Sequence, residues 1–204
     1  MPDLSRLAAA LRGLLPEGAA VAATDPQADH AVFPGEHIAA VPHRQREFAA
    51  GRAALRRVMA DLGLPATAVP MNPDRSPALP AGLAASITHT AKACLAAAMT
   101  GPRGLGIDLE PDDPLPSDIL DTVLTLSERG TPDARLIFAA KEALYKAQYP
   151  VSRTLFGFDS VAITLDTATF TATFLQAIPG FPAGTRLTGH WTRAEGHILT
   201  VLVI

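Results

Sequence analysis

Cysteine is almost missing from this chain: one residue, Cys94, among 204. A single thiol excludes an internal disulfide framework and a multi-cysteine zinc site. It lies in the apolar run "ACLAAAM", where a buried, inert thiol is expected rather than a nucleophile. Charge is scarce too. Asp, Glu, Lys and Arg make up 18 % of the chain and the formal net charge is −3, so there is no global footprint for nucleic acid or an anionic membrane. Anion binding would need a local basic cluster. No uncharged stretch reaches the roughly 20 residues of a membrane-spanning helix. The opening "MPDLSRLAAALRGLLPEGAAVAA" has a passing likeness to a secretory leader, but Asp3 falls in the would-be basic region and Arg12 cuts the apolar run. An amphipathic helix of the mature protein is the better reading, and the cytoplasm the expected compartment. A G-x-x-x-x-G-K-[ST] phosphate loop is also missing, which removes support for a nucleotide phosphotransferase of that type.

Hydrophobic residues are plentiful at 48 %, enough for a real core in one substantial domain or two small ones. Residues 4–15 read as a short helix and "VAATDP" as a strand ending in a turn. The first strong helix is "PHRQREFAAGRAALRRVMADLG". Pro42 suits its first turn, Phe48, Leu55, Val58, Met59 and Leu62 give a helical stripe, and Gly63 suits its C-terminal end. After a proline-rich loop, "ASITHT" and "ACLAAAMT" read as strands around a turn at Ala91 and Lys92, and "GLGIDLE" as a third. "ILDTVLTLSERG" reads as a modest helix. "TPDARLIFAAKEALYKAQYP" reads as the second strong one, with Thr131 as N-cap, Pro132 at its first position and Pro150 as its stop. "SVAITLD", "TFTATFLQ", "RLTGHWTR" and "GHILTVLVI" complete the chain as antiparallel strands. Both halves thus run from a charged amphipathic helix into strands, a rhythm that suggests two similar α+β lobes.

Four groups of residues could carry chemistry. In "LGIDLEP", Asp108 and Glu110 are two apart in a strand and project to one side. Two carboxylates so close in a half-buried setting repel unless a proton or a cation intervenes, and a hard divalent ion such as Mg²⁺ suits them. An edge strand with its acids in water is the plainer explanation of the pair taken alone. In "FAAKEALYK", Glu142 and Lys146 share a helix face with Lys141 beside them, as a surface ion pair or as a base and a charge stabiliser. In "SITHT", Thr88 and His89 could hold phosphate oxygens. Arg44 and Arg52 lie eight apart on the first strong helix, about 80° from each other at roughly 100° per residue, and Arg75 sits in the proline-rich loop. Arginine is the side chain best shaped to fork onto phosphate. Together these describe a site for a polyphosphorylated ligand.

The pairing of "GIDLE" with "FAAKEALYK" resembles the signature of the 4′-phosphopantetheinyl transferases, nearest to the enterobactin-synthase-component type that serves siderophore and secondary-metabolite synthases. "RQREFAAGRAA", "DRSPALPAGLAASITHT" and "LTGHWTRAEGHILTVLVI" follow the pattern of that group in the same order, so the resemblance covers most of the chain from about residue 40 onward. It implies an α+β fold of two pseudo-twofold-related lobes, each with helices on a mostly antiparallel sheet. The lobes are expected over 1–104, with the arginines and the "SITHT" motif, and 105–204, with the metal and catalytic residues. It implies an enzyme that moves the 4′-phosphopantetheine of coenzyme A onto a serine of an apo acyl or peptidyl carrier protein and releases adenosine 3′,5′-bisphosphate. By motif position, Asp108, Glu110 and Glu142 would hold Mg²⁺, or Mn²⁺. Glu142, directly or through a water, would be the base, and Lys146 would contact the phosphate under attack. Thr88 and His89 would touch phosphate oxygens, Arg44, Arg52 and Arg75 the adenosine and its 3′-phosphate, and Lys141 the phosphate side. Phe138 stands where many members carry tryptophan, Arg75 where lysine also occurs, and Thr88 where serine is common. Members of this kind act as monomers without nucleic acid or membrane. A non-catalytic relative that binds coenzyme A or a carrier protein is the alternative.

Overall fold

A computed structural model describes all 204 residues. The chain divides into two compact units, Met1–Pro102 and Arg103–Ile204, each an antiparallel sheet with a covering helix. No helix is long and apolar enough to cross a membrane.

The first unit begins with helix α1 (Leu4–Leu14), where Asp3 caps the free N–H groups of Ser5 and Arg6 through Oδ1. Strand β1 (Ala20–Thr24), helix α2 (Pro42–Asp61) and strands β2 (Leu83–His89) and β3 (Cys94–Thr100) follow. The sheet order is β1-β3-β2, with Thr24 and His89 both paired to Cys94. Pro42 opens α2 as expected, and Gly63 takes the left-handed turn beyond its end (φ 73°). Helix α2 buries Ala54, Leu55, Val58 and Met59 against Ala20, Ala22, Ala96 and Ala98. These small strand residues admit the helix, and Gly51 lies close on β2, where an added Cβ would stand 3.0 Å from Ile87 Cγ2.

The second unit holds β4 (Leu105–Pro111), helix α4 (Ala134–Ser152) and strands β5 (Val161–Leu165), β6 (Thr169–Phe174), β7 (Arg186–Ala194) and β8 (His197–Val203). Its sheet runs β4-β8-β7-β6-β5, so β4 is an edge strand of this sheet, with its register set by Asp108 opposite Thr200. One side of α4 packs Ile137, Ala140, Leu144 and Ala147 on an aromatic core containing Phe170, Phe174 and Phe181. Another side presses on β4. A Cβ at Gly104 would collide with the carbonyl of Ala147, and one at Gly106 with the carbonyl of Ala143, so the two backbones touch where only glycine fits. Thr200 Oγ1 donates to Ala139 O at 2.9 Å and pins the same helix to β8.

Three local expectations are corrected. The segment 119–130 is broken into helix α3 (Leu120–Val123) between two 3₁₀ turns, Ser117–Ile119 and Leu126–Glu128. The cause is Glu128: its carboxylate turns back to accept from Thr125 N at 2.7 Å and Thr125 Oγ1 at 2.8 Å, and also takes Ile163 N at 2.6 Å. Helix α4 starts at Ala134, not Pro132. Asp133 stands at its N-cap without a side-chain bond to the helix, because its carboxylate is held by Arg193 at 2.6 Å. Pro150 does not stop α4 but lies in its last turn, where a missing N–H costs one bond and the fixed φ is already helical. The helix ends at Arg153, in the left-handed region at φ 52°.

Candidate functional site

Strand alternation sends Gly106, Asp108 and Glu110 to one face of β4, with Gly104 just before the strand on the same side, and α4 lies on that face. The glycines meet Ala143 and Ala147 in the second half of the helix, which leaves the two acids beside residues nearer its start. Arg135 and Glu142 are seven apart on α4 and Lys146 four further on, so all three share one stripe. Lys146 Nζ donates to Asp108 Oδ1 at 2.6 Å and to Ile107 O at 3.1 Å. It thus reaches across to the strand rather than along the helix to Glu142, and keeps a third N–H for a ligand. Arg135 Nη1 donates to Glu110 Oε2 at 2.8 Å.

Asp108 is buried, while Glu110 and Glu142 are partly covered. Burial pushes the carboxyl of Glu110 above its ordinary value, and the charge of Asp108 adds to the push; Arg135 and Lys146 oppose it. Burial likewise raises Glu142, with Lys146 pulling down and Asp108 pushing up. The repulsion expected from the sequence is therefore present, and it is answered in part by two cations of α4.

No group of three or more His, Cys, Asp or Glu side chains forms a ready-made metal cage. The donors nonetheless fit a hard divalent ion of the Mg²⁺ kind: all are carboxylate oxygens, and such an ion is commonly held by one or two carboxylates plus waters and phosphates. Beside Glu142 opens a pocket of about 240 Å³, walled by Leu144, Tyr145, Phe156, Phe158 and Val161.

Lys141 borders the same pocket, but its ammonium is tied inward. It is 3 % exposed, and its three donors go to Val123 O at 2.8 Å, Glu128 Oε2 at 2.7 Å and Phe158 O at 2.9 Å. No donor remains for a phosphate, so the expectation of a ligand contact gives way to an internal tie. Burial lowers its pKa, against the raising effect of Glu128.

In the first unit the structure brings Arg44 and His89 to one carboxylate. Glu47 Oε2 lies 2.9 Å from Arg44 Nη1 and 3.9 Å from His89 Nδ1. Arg52 is buried, donates through Nε to Val69 O at 2.6 Å and stacks 4.2 Å over Phe48. Burial lowers its pKa to about 10, with Glu36 opposing. Thr88 is buried on β2, and Arg75 is exposed in its loop at φ 68°. Arg56, which the sequence sets beside Arg52, is spent on Glu36 and on the ring of Phe33 at 4.0 Å.

Sequence reasoning missed Arg135, Glu47 and Glu128. Only Glu128 left a signal, the T-x-x-E spacing from Thr125 that marks a capping box.

The family model described as the 4′-phosphopantetheinyl transferase N-terminal domain matches residues 34–99, and that of the 4′-phosphopantetheinyl transferase superfamily matches 104–201. The chain is also 36 % identical over 197 residues to the 4′-phosphopantetheinyl transferase Svp of Streptomyces mobaraensis, covering 85 % of this chain and 78 % of that protein. This chain belongs to the 4′-phosphopantetheinyl transferase superfamily. The transferase is similar as well to PptT of Mycobacterium tuberculosis (32 % identical, 80 % of this chain and 81 % of that protein). To enterobactin synthase component D of Salmonella typhimurium it is 29 % identical, over 78 % of this chain and 71 % of that protein. The α+β build of two helix-covered antiparallel sheets agrees with the family, whose transferases use coenzyme A and act on carrier proteins.

Proposed function

We propose that this transferase moves the 4′-phosphopantetheine of coenzyme A onto a serine of an apo acyl or peptidyl carrier protein in a Mg²⁺-dependent reaction. The observation that carries the reading is the Lys146–Asp108 pair at 2.6 Å where α4 lies on β4, with Glu142 one turn before Lys146 on the same helix stripe and an apolar pocket beside Glu142. Asp108, Glu110 and Glu142 would hold the ion, Mg²⁺ or Mn²⁺ since hard oxygen donors suit both. When bound, it would neutralise charge on the pyrophosphate.

The serine hydroxyl attacks the phosphorus that bears the pantetheine arm. A new O–P bond forms, the bond to the adenosine 3′,5′-bisphosphate oxygen breaks, and the electron pair leaves with that oxygen. Glu142 takes the serine proton, directly or through a bound water; its raised pKa brings it nearer the working pH of a base. Lys146 offers its remaining N–H to the phosphate under attack and steadies the leaving charge. The pocket lined by Leu144, Tyr145 and Phe156 suits the narrow pantetheine arm: its about 240 Å³ lies just below the roughly 300–1,000 Å³ usual for larger ligands. Arg44, Arg52 and Arg75, with Thr88 and His89, would take the adenosine and phosphate groups; the buried, stacked guanidinium of Arg52 is the most rigid of them.

Similarity to an enterobactin synthase component supports a carrier of siderophore or other secondary-metabolite synthesis, and the reading has the enzyme act as a cytoplasmic monomer. Purified protein with Mg²⁺ and coenzyme A should add one phosphopantetheine mass to an apo carrier domain, read by intact-mass spectrometry. No shift across a panel of acyl and peptidyl carriers, beside an active control enzyme, sinks the reading in favour of a non-catalytic binder.

A further inference from the structure

Helix α4 supplies one carboxylate of the candidate metal group, Glu142, and reaches the other two through cations. Lys146 ties Asp108 to the helix. Arg135 ties Glu110, and does much more. Its Nη1 donates to Glu110 Oε2 at 2.8 Å, its Nη2 to Asp113 Oδ1 at 2.7 Å and Pro114 O at 2.9 Å, and its Nε to Asp113 O at 3.2 Å. The side chain is only 16 % exposed although the residue stands in the first turn of the helix. All three of its nitrogens are committed, so the fork is fixed in one pose. It spans the end of β4, the loop after it and the start of α4, and because a helix is rigid over seven residues it fixes Glu110 relative to Glu142.

We propose that Arg135 is a positioning residue for the transfer: it orients Glu110 toward the bound metal by holding Oε2 and leaving Oε1 to the ion. Carboxylates that bind metals are commonly oriented by a second hydrogen bond of this kind, and its loss weakens metal binding about 10–100-fold. A lysine could keep the charge but could not fork over Glu110 and the Asp113 loop together. A neighbouring arginine gives an internal control. Arg193 ties the same loop, through Asp112 at 3.0 Å, to the start of α4, through Asp133 at 2.6 Å, without touching Asp108, Glu110 or Glu142.

The inference rests on the metal reading above, and the experiment separates the two. Mn²⁺ is titrated into the full protein with coenzyme A present, free Mn²⁺ being followed by electron paramagnetic resonance against a coenzyme-A blank. Transfer is then measured against Mg²⁺ concentration. Arg135→Ala should weaken Mn²⁺ binding about tenfold and raise the half-saturating Mg²⁺ by the same factor, while kcat at saturating Mg²⁺ falls less than threefold. Arg135→Lys should restore under half of the loss on a logarithmic scale, and keeps the test alive if the alanine variant folds poorly. Arg193→Ala should lower the melting temperature but leave Mn²⁺ affinity within twofold of the parent. Asp108→Asn should abolish Mn²⁺ binding. If it does, and both Arg135 variants bind Mn²⁺ within twofold of the parent, or Arg193→Ala weakens binding as much as Arg135→Ala, the positioning role is overturned. If the parent binds no Mn²⁺, or Asp108→Asn leaves binding intact, the metal reading falls and this inference with it.

Discussion

Helices α2 and α4 do the same structural job in the two units and do it at different closeness. Helix α2 meets its sheet through side chains: Gly51 comes up against a methyl of Ile87, and Leu55, Val58 and Met59 pack on the alanines of the strands. Helix α4 meets β4 backbone to backbone, at Gly104 and Gly106. The difference shows in what the helix cations are free to do. On α2, Arg56 bends back to Glu36 and the ring of Phe33 and becomes part of the packing, while Arg52 is anchored through Nε on Val69 O and stacked on Phe48. On α4, the close seat on the glycines lets Lys146 and Arg135 cross to Asp108 and Glu110. A helix held off by side chains makes a core, and one laid on bare backbone can bring its charged stripe onto the strand.

The sharpest way to break this contrast is Gly106→Ala. Its methyl would meet the carbonyl of Ala143 and stand 2.7 Å from Ala147 N, both backbone, so the helix must lift. Ordinary overpacking costs about 1–3 kcal/mol, and here a loss at or above about 3 kcal/mol is expected in denaturant unfolding, with transfer activity down at least 100-fold. Lys141→Met comes next. It leaves Glu128 buried without its cation, and removal of one partner of such a pair costs about 3–5 kcal/mol. The lower end is expected, since burial already works against the lysine charge. Thermal and urea melts would show it.

Glu36→Gln should do less. At neutral pH the loss should be about 1.5–2 kcal/mol, the scale of hydrogen bonds to a charged group. Burial pushes the Glu36 carboxyl up, but bonds from Val69 N, Phe33 N and Arg56 pull it further down, so it ends below its ordinary 4.5. A carboxyl lowered in the fold adds stability above its unfolded value and loses that share as pH drops through the lower folded value. The parent should therefore weaken more steeply than the variant below about pH 4.5, and unfolding curves between pH 3 and pH 7 would converge at the acid end. Gly51→Ala is the mildest. Helix propensity favours alanine by about 1 kcal/mol and the 3.0 Å approach to Ile87 opposes it, so the net change should stay within about 1 kcal/mol.

The same contrast explains what was legible in advance. Strands and both long helices follow from hydrophobic period and end signals, and the order of elements came through because each pattern is local. The "GLG" before Asp108 carried a readable hint, since alternate glycines in a strand mark a close backbone approach, but not which helix would come. Long-range choices were hidden. Nothing near Lys141 says that Val123, Glu128 and Phe158 will take all its donors, and nothing near Arg135 points to Glu110. The break of 119–130 came from Glu128 turning inward to Ile163, a partner distant in sequence. Pro150 misled because it reads as a stop, whereas α4 runs two residues past it to Ser152 at the loss of one helical hydrogen bond.

The central claim is that Asp108, Glu142 and Lys146 do the chemistry where α4 rests on β4. Its most direct test is the intact mass of an apo carrier domain after incubation with coenzyme A and Mg²⁺, comparing the parent with Asp108→Asn, whose fold is checked by its melting curve. The account predicts a phosphopantetheine adduct from the parent and none from a folded Asp108→Asn. Turnover by that variant at the parent's rate would contradict it.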